Sequence, residues 1–468
     1  MSVDTEVQNA VLVGVHLPKV SPEDFESSLQ ELTRLVTTLG YKVVGKVTQR
    51  RPSDRSAALL GDGKLKELAE WTGGTGKIAP MVQHKLSKAA EKWQENQEPQ
   101  NLDEEGIEEI QSSSLLSEEL KGTADVVIVD TDLSPSQIRN LESATGVTVL
   151  DRTGVIIEIF SRHARTKAAR LQVEIARLTY VAPRLRETSA GEDRQGGGVG
   201  GKGAGESSLE LDKRKIRDRI KELKTELEAI GNEHEVRRAR RQQELCVALV
   251  GYTNAGKSSL MRAMTGSEVL VQDKLFATLD TTIRPLHPET RPKVLLSDTV
   301  GFIKKLPHDL VASFKSTLDE ALHASLLLYV VDSSDPSFRS QMEVTKNVLA
   351  EVGVTDTPSL LILNKKDCLS VEQILQLEKE FPQALMISTR NSSDLQTLRD
   401  RIMSYFESDM IDESISIPYT VQGVIGEIRS KMRVLSESYD EKGVTLVVRS
   451  TSERLAQIKK MLIPVDED

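Results

Sequence analysis

The chain is poor in the features that mark an exported, membrane-bound or disulfide-stapled protein. Two cysteines in 468 residues, Cys246 and Cys368, are too few and too far apart for a disulfide framework or a cysteine metal cluster. No stretch approaches the roughly 18 uninterrupted apolar residues of a membrane span. The N-terminus MSVDTEVQ has neither the basic nor the apolar part of a signal peptide. The expectation is a cytoplasmic protein with no transmembrane segment. An excess of positive charge is missing too: the formal net charge is −10, which argues against coating nucleic acid by bulk charge. The charge is unevenly placed, however. Acidic residues crowd Glu95 to Glu119, whereas Arg162 to Arg186 and Lys213 to Arg241 carry strings of Arg and Lys, which are either local phosphate-binding surfaces or solvated helix faces.

A chain of 468 residues has room for about two to four domains, each with its own core. Over 1–155, short apolar runs such as Val11 to Val15, Tyr41 to Val47 and Val126 to Val129 alternate with helical patterns such as Phe25, Leu29, Leu32 and Val36. That rhythm predicts a small α/β domain with a largely parallel sheet. Within it, residues 71–123 turn polar and acidic and read as an inserted loop. From about Glu158 the pattern is helical: Leu171, Ile175, Leu178, Ala182 and Leu185 form one seam, and Ile216, Ile220, Leu223, Leu227 and Ile230 form another beyond the glycine-rich break Gly196 to Gly205. Two seams joined by a flexible tip predict an antiparallel helical hairpin over 156–243, its arms at ~1.5 Å per residue each reaching roughly 40 Å. The break is a plain linker or, because it holds Lys202 with Arg194 just before it, a tip that meets a partner. Residues 244–408 read as a doubly wound, mostly parallel α/β domain, with strands at Leu245 to Val250, Lys293 to Ser297, Leu326 to Val331, Leu360 to Leu363 and Ala384 to Ile387. Residues 412–468 read as a small α+β domain.

Five blocks in the third region follow a fixed order. Gly251-Tyr252-Thr253-Asn254-Ala255-Gly256-Lys257-Ser258, continuing into Ser259, is a GxxxxGK[ST] phosphate loop. After it come Phe276-Ala277-Thr278-Leu279, Asp298-Thr299-Val300-Gly301, Asn364-Lys365-Lys366-Asp367 and Ser388-Thr389-Arg390. Four of the five follow directly on the C-terminal ends of predicted strands, so independent motifs converge on one pocket. The backbone N–H groups of the first block would surround phosphates, Lys257 would bridge the β- and γ-phosphates, and the Ser258 hydroxyl would ligate Mg²⁺. Asp298 would hold the same ion, and the Gly301 N–H would touch the γ-phosphate. Thr278 is the expected switch threonine completing the Mg²⁺ shell, with Thr281 and Thr282 as alternatives. Asp367 fits guanine because its carboxylate accepts from two donors that adenine lacks. Asn364 would reach N7 or O6, the Lys365 stem would cover the base, and Ser388 to Arg390 would line it. The set points to a P-loop GTPase with GTP and GDP as substrate and product.

Two positions carry open readings. Phe302 stands where many regulatory GTPases have a water-orienting glutamine: the expectation is that it packs outward in a hydrophobic switch and, at the same time, that hydrolysis awaits a partner's group. Asn254 either holds a K⁺ that serves in place of an arginine finger or braces the loop.

The chain resembles the HflX family of ribosome-associated GTPases over nearly its whole length. Outside the nucleotide motifs the likeness is carried by Leu60-Gly61-Asp62-Gly63-Lys64, Leu133 to Leu141, Asp151-Arg152-Thr153, Leu171-Gln172-Val173-Glu174, Pro183-Arg184-Leu185 and Gly201 to Glu206. Ser388-Thr389-Arg390 departs from the family's Ser-Ala-Lys, and Ala204 replaces an expected proline. The resemblance implies a monomer that binds the large ribosomal subunit and whole ribosomes, inserts the glycine tip near the rRNA of the peptidyl transferase centre, and splits stalled ribosomes. An RNA-remodelling enzyme with a second nucleotide on the N-terminal domain, and a regulatory scaffold acting elsewhere, are the alternatives.

Overall fold

The computed structural model describes residues 7–78, 121–185, 208–241, 244–266, 275–276, 281–306, 320–419, 421 and 423–462. Two compact units divide the chain: Met1–Arg162 with Glu174–Lys221, and His163–Val173 with Glu222–Asp468. The expected glycine tip with Arg194 and Lys202, most of the 71–123 insertion, and Thr278 lie outside the described residues.

The first unit is built on four parallel strands, β1 (Asn9–His16), β2 (Lys42–Arg50), β3 (Val126–Val129) and β4 (Thr148–Asp151), in the order β2-β1-β3-β4. In the central strands β1 and β3 the apolar runs are continuous rather than alternating because both faces are covered, whereas β2 and β4 keep exposed positions. Helices α1 (Pro22–Thr38), α2 (Asp62–Thr72) and α3 (Pro135–Thr145) make the crossovers. Local chemistry fixes their starts. Ser21 caps α1 with Pro22 in its first turn, and Ser134 with Gln137 forms a capping box on α3.

At the C-terminal ends of β3 and β4, the Asp151-Arg152-Thr153 signature faces three ways. The buried Asp151 carboxylate accepts from the Leu133 N–H (3.2 Å), the Gly154 N–H (2.8 Å), the Tyr180 hydroxyl (2.6 Å) and Arg184 (2.8 Å). Arg152 pairs with Asp130 (2.7 Å) and Glu31, and the Thr153 hydroxyl donates to Asp132 (2.5 Å). The Arg184 guanidinium lies over the Tyr180 ring. Burial raises the Asp151 carboxyl above its ordinary value against these donors, and burial beside Asp151 raises the Tyr180 phenol.

The long helical run expected from Glu158 is broken. Helix α4 (Arg152–His163) begins directly after β4, and α5 (Lys167–Val181) starts afresh, because the Thr166 hydroxyl accepts the Ala169 N–H and caps a new first turn. Along α6 (Ser208–Arg241), the predicted seam residues Ile216, Ile220, Leu223, Leu227 and Ile230 are all partly or fully buried. Lys167 of α5 pairs with Glu226 of α6 at 3.2 Å.

In the second unit, β5 (Leu245–Val250), β6 (Thr282–Pro285), β7 (Val294–Asp298), β8 (Leu326–Asp332), β9 (Ser359–Asn364) and β10 (Leu385–Met386) form a sheet ordered β10-β9-β8-β5-β7-β6. All pairings are parallel except that of the edge strand β6, which the sequence reading did not foresee. Helices α7 (Lys257–Thr265), α8 (Phe338–Val352), α9 (Val371–Glu380) and α10 (Ser392–Glu407) belong to this layer arrangement. Farther along, an antiparallel sheet of β11 (Ile411–Pro418), β13 (Gly443–Ser450) and β12 (Arg433–Tyr439) shares an apolar core with α11 (Val424–Lys431) and α12 (Ser452–Leu462).

Candidate nucleotide site

The phosphate loop turns between β5 and α7, and its backbone explains its glycines. Gly251 has φ +150°, and a Cβ there would stand 2.1 Å from the Val330 carbonyl oxygen. Gly256 caps α7 with φ +94°, and its Cβ would stand 2.3 Å from the Asn364 amide nitrogen. Asn254 takes the left-handed conformation at φ +60°, which asparagine tolerates better than most residues. Its side chain is exposed and makes no hydrogen bond to another described residue. The buried Lys257 amine donates to the Gly251 and Tyr252 carbonyls at 3.0 and 2.8 Å, which curls the loop around it. Burial pushes that amine down to about 8, with Asp298 acting in the opposite sense.

Asp298 closes β7 and is fully buried. The Ser258 hydroxyl donates to it at 2.8 Å, so the two oxygens expected to share a cation stand side by side. Beyond it, Thr299 anchors to the Leu249 carbonyl (2.6 Å), and Gly301 passes so close to the loop that a Cβ would meet Thr253 Cα at 2.9 Å and Lys257 Nζ at 3.0 Å. Phe302 does not pack outward. Its side chain is 2% exposed, and its backbone forms a parallel bridge with Tyr252. The Phe302 N–H donates to Gly251 at 3.2 Å and its carbonyl accepts from Thr253 at 2.8 Å, so pairing with the loop draws the residue inward.

The base loop stands at the ends of β9 and β10. Asn364 donates through its side-chain amide to the Ala255 carbonyl (2.9 Å), while its Oδ1 has no partner among the described residues. Lys365 adopts φ +63° and its amine is held by Asp332 at 2.6 Å. Asp367 sits in a single 3₁₀ turn, about one-third exposed, with the Arg390 guanidinium 3.5 Å away. The Ser388 N–H is held by Asp394 and its hydroxyl accepts the Arg390 N–H, which shapes the last motif.

The family "GTP-binding GTPase N-terminal" matches residues 26–100 and 89–161, "GTP-binding GTPase Middle Region" matches 163–241, and "50S ribosome-binding GTPase" matches 246–365. The chain is 55% identical to the GTPase HflX of Gluconacetobacter diazotrophicus over 97% of each chain. To the GTPase HflX of Escherichia coli it is 34% identical, over 88% of this chain and 86% of that one. This chain belongs to the HflX family of GTPases. Among solved structures it is similar to the complex of SsGBP with GDP at 23% identity and a TM-score of 0.43, covering 85% of this chain and 98% of that one.

As an HflX-family GTPase the chain hydrolyses GTP, and the structure brings the phosphate loop, Asp298 to Gly301, Asn364 to Asp367 and Ser388 to Arg390 to one edge of one sheet. Phe276 is buried with φ +58°; Thr278 falls outside the described residues, while Thr282 opens β6 opposite Asp298. Sequence reasoning missed Asp332 and Asp394, which hold Lys365 and Ser388. Their signal was available: Asp332 ends an apolar strand, and Asp394 lies in the first turn of a helix.

Proposed function

We propose that this HflX-family GTPase binds the large ribosomal subunit and uses GTP turnover to split or rescue stalled ribosomes. The observation that carries the reading is the reach of the family likeness beyond the nucleotide domain. It takes in residues 163–241, whose helices flank the glycine stretch and which a stand-alone nucleotide switch does not need. The description of the family matched at 246–365, a 50S ribosome-binding GTPase, supports it. On this reading 1–155 is an N-terminal domain carrying the 71–123 insertion, 156–243 a hairpin whose tip at 196–205 meets rRNA near the peptidyl transferase centre, 244–408 the GTPase domain and 412–468 a C-terminal domain. The protein works as a cytoplasmic monomer.

At the site, the loop N–H groups from Gly251 to Ser259 and the amine of Lys257 hold the phosphates, the Gly301 N–H meets the γ-phosphate, and Asn364, Lys365, Asp367, Ser388, Thr389 and Arg390 hold the base. Ser258, Asp298 and Thr278 hold Mg²⁺; a hydroxyl beside a buried carboxylate is the hard oxygen set that suits this ion. When bound, Mg²⁺ offsets the charge of the β- and γ-phosphates. Asn254 holds K⁺, and the exposed, uncommitted state of its amide supports that role over a brace.

Ribosomes sedimented through sucrose with the protein and GTP, a non-hydrolysable analogue or GDP test the function. Co-migration with large subunits and loss of whole ribosomes are expected with the triphosphates. Whole ribosomes left intact with no protein bound in any arm would refute it. Hydrolysis rates in K⁺ and Na⁺ at equal ionic strength, for wild type and Asn254→Ala, test the potassium site; equal rates in both salts remove it.

A further inference from the structure

The phosphate loop works through backbone N–H groups, so its second position needs no side chain for that purpose. Here it carries a tyrosine only 5% exposed, and a buried hydroxyl has to be satisfied. The Lys304 N–H donates to it at 2.6 Å. Next to that contact lie the two bonds that join Phe302 to Gly251 and Thr253, and the carbonyl of Tyr252 itself accepts from the Lys257 amine. Any residue at 252 could make the backbone bonds; the contact to Lys304 requires the phenol. The residue after Lys304, Lys305, takes the left-handed conformation at φ +57°. Inside the series stands Gly301, with room for no more than a hydrogen between its Cα and the Lys257 amine.

We propose that Tyr252 is a positioning residue for GTP hydrolysis: its hydroxyl straps the segment 301–304 to the phosphate loop and so fixes the Gly301 backbone where it passes Thr253 and Lys257. This inference rests on the reading that the Gly301 N–H meets the γ-phosphate. GDP lacks that phosphate, so the strap acts on triphosphate binding and turnover and leaves GDP binding alone.

The test is Tyr252→Phe in the full-length protein, which deletes one oxygen and keeps the ring. Hydrogen–deuterium exchange over residues 303–306 is expected to quicken. GDP affinity should hold, while affinity for a non-hydrolysable GTP analogue and the turnover rate each fall about three- to ten-fold, the loss of one neutral hydrogen bond. Lys304→Ala keeps the N–H and should match wild type in all four measurements. Unchanged exchange in Tyr252→Phe would overturn the strap itself. Faster exchange with unchanged analogue affinity and turnover would separate the strap from the γ-phosphate and overturn its role in hydrolysis. Equal weakening of GDP and analogue would reduce Tyr252 to a support of the loop and overturn it as well.

Discussion

Two of the sheets among the described residues are wholly or mostly parallel, and their C-terminal edges differ in what gathers there. At the edge of the first, Asp130 and Asp151 meet Arg152, Glu31, Tyr180 and Arg184, and acids pair with bases across the edge. At the edge of the second, the strands end in glycine turns, a buried amine and short polar residues, and Asn364 keeps its Oδ1 without a partner among the described residues. Parallel topology offers the same crevice in both cases. What differs is whether the side chains there neutralise each other. The first edge is a joint between elements; the second is a binding site. The Gly61 to Lys64 stretch follows the first pattern: the Gly61 N–H goes to Gln49 and the Lys64 amine to Glu67.

Four measurements break or sharpen this contrast. The largest effect is expected from Asp367→Asn, which should weaken guanine nucleotides by on the order of 10⁴ and admit xanthine nucleotides, since a two-donor contact leaves an unpaired group when the base is wrong. Unaltered GTP preference in a competition assay would remove Asp367 from the base site. At the closed edge, Asp151→Ala should cost about 2–4 kcal/mol in denaturant unfolding of the N-terminal unit, because Arg184 and Tyr180 lose a buried partner. GDP affinity should stay unchanged; a parallel drop would mean that the two edges are not separate.

The third measurement concerns protons. The native Lys257 value of about 8 lies below its ordinary 10.5, so in that window the unfolded chain holds more protons than the native one. From this group, therefore, the nucleotide-free protein gains stability as pH rises from about 8 to 10.5. Phosphates favour the charged amine, so GDP binding should take up a proton near pH ~9 and weaken as the pH climbs further. Calorimetry in two buffers of different ionisation enthalpy reads the uptake, which Lys257→Met should abolish; no uptake in wild type would contradict the buried, neutralised amine. The smallest effect is expected at Arg390, whose contact with Asp367 is exposed. Arg390→Ala should shift GDP affinity by less than about three-fold, as for other surface pairs. A larger loss would show that Arg390 holds the base through its guanidinium and not through its backbone alone.

Much of this was legible in the sequence because it depends on short-range order. The loop from Gly251 to Ser258, the strand ends that carry Asp298 and Asn364, and the seam from Ile216 to Ile230 are patterns of spacing, and spacing survives in one dimension. What stayed hidden depends on partners far along the chain. Phe302 looked like a surface residue because a phenylalanine after Gly301 has no polar contact to make; its burial comes from a bridge to Tyr252, fifty residues earlier. Asp151-Arg152-Thr153 was visible as a signature and mute as to purpose, since its partners Glu31, Asp130 and Arg184 come from three other segments. The break between α4 and α5 turned on a single cap, Thr166, inside a sequence that otherwise keeps its helical rhythm.

The contact between Asn364 and the carbonyl of Ala255, with Gly256 pressed against the same amide, has a consequence for fidelity. In the proposed site, one side chain touches the loop assigned to the phosphates and stands in the loop assigned to the base. A wrong base that displaces Asn364 therefore loosens the opposite end of its own nucleotide, and an error at one end is felt twice. Selectivity in such a pocket is a property of the bridge as much as of the contacts at either bank, and residue 256, which never meets a purine, helps to choose one.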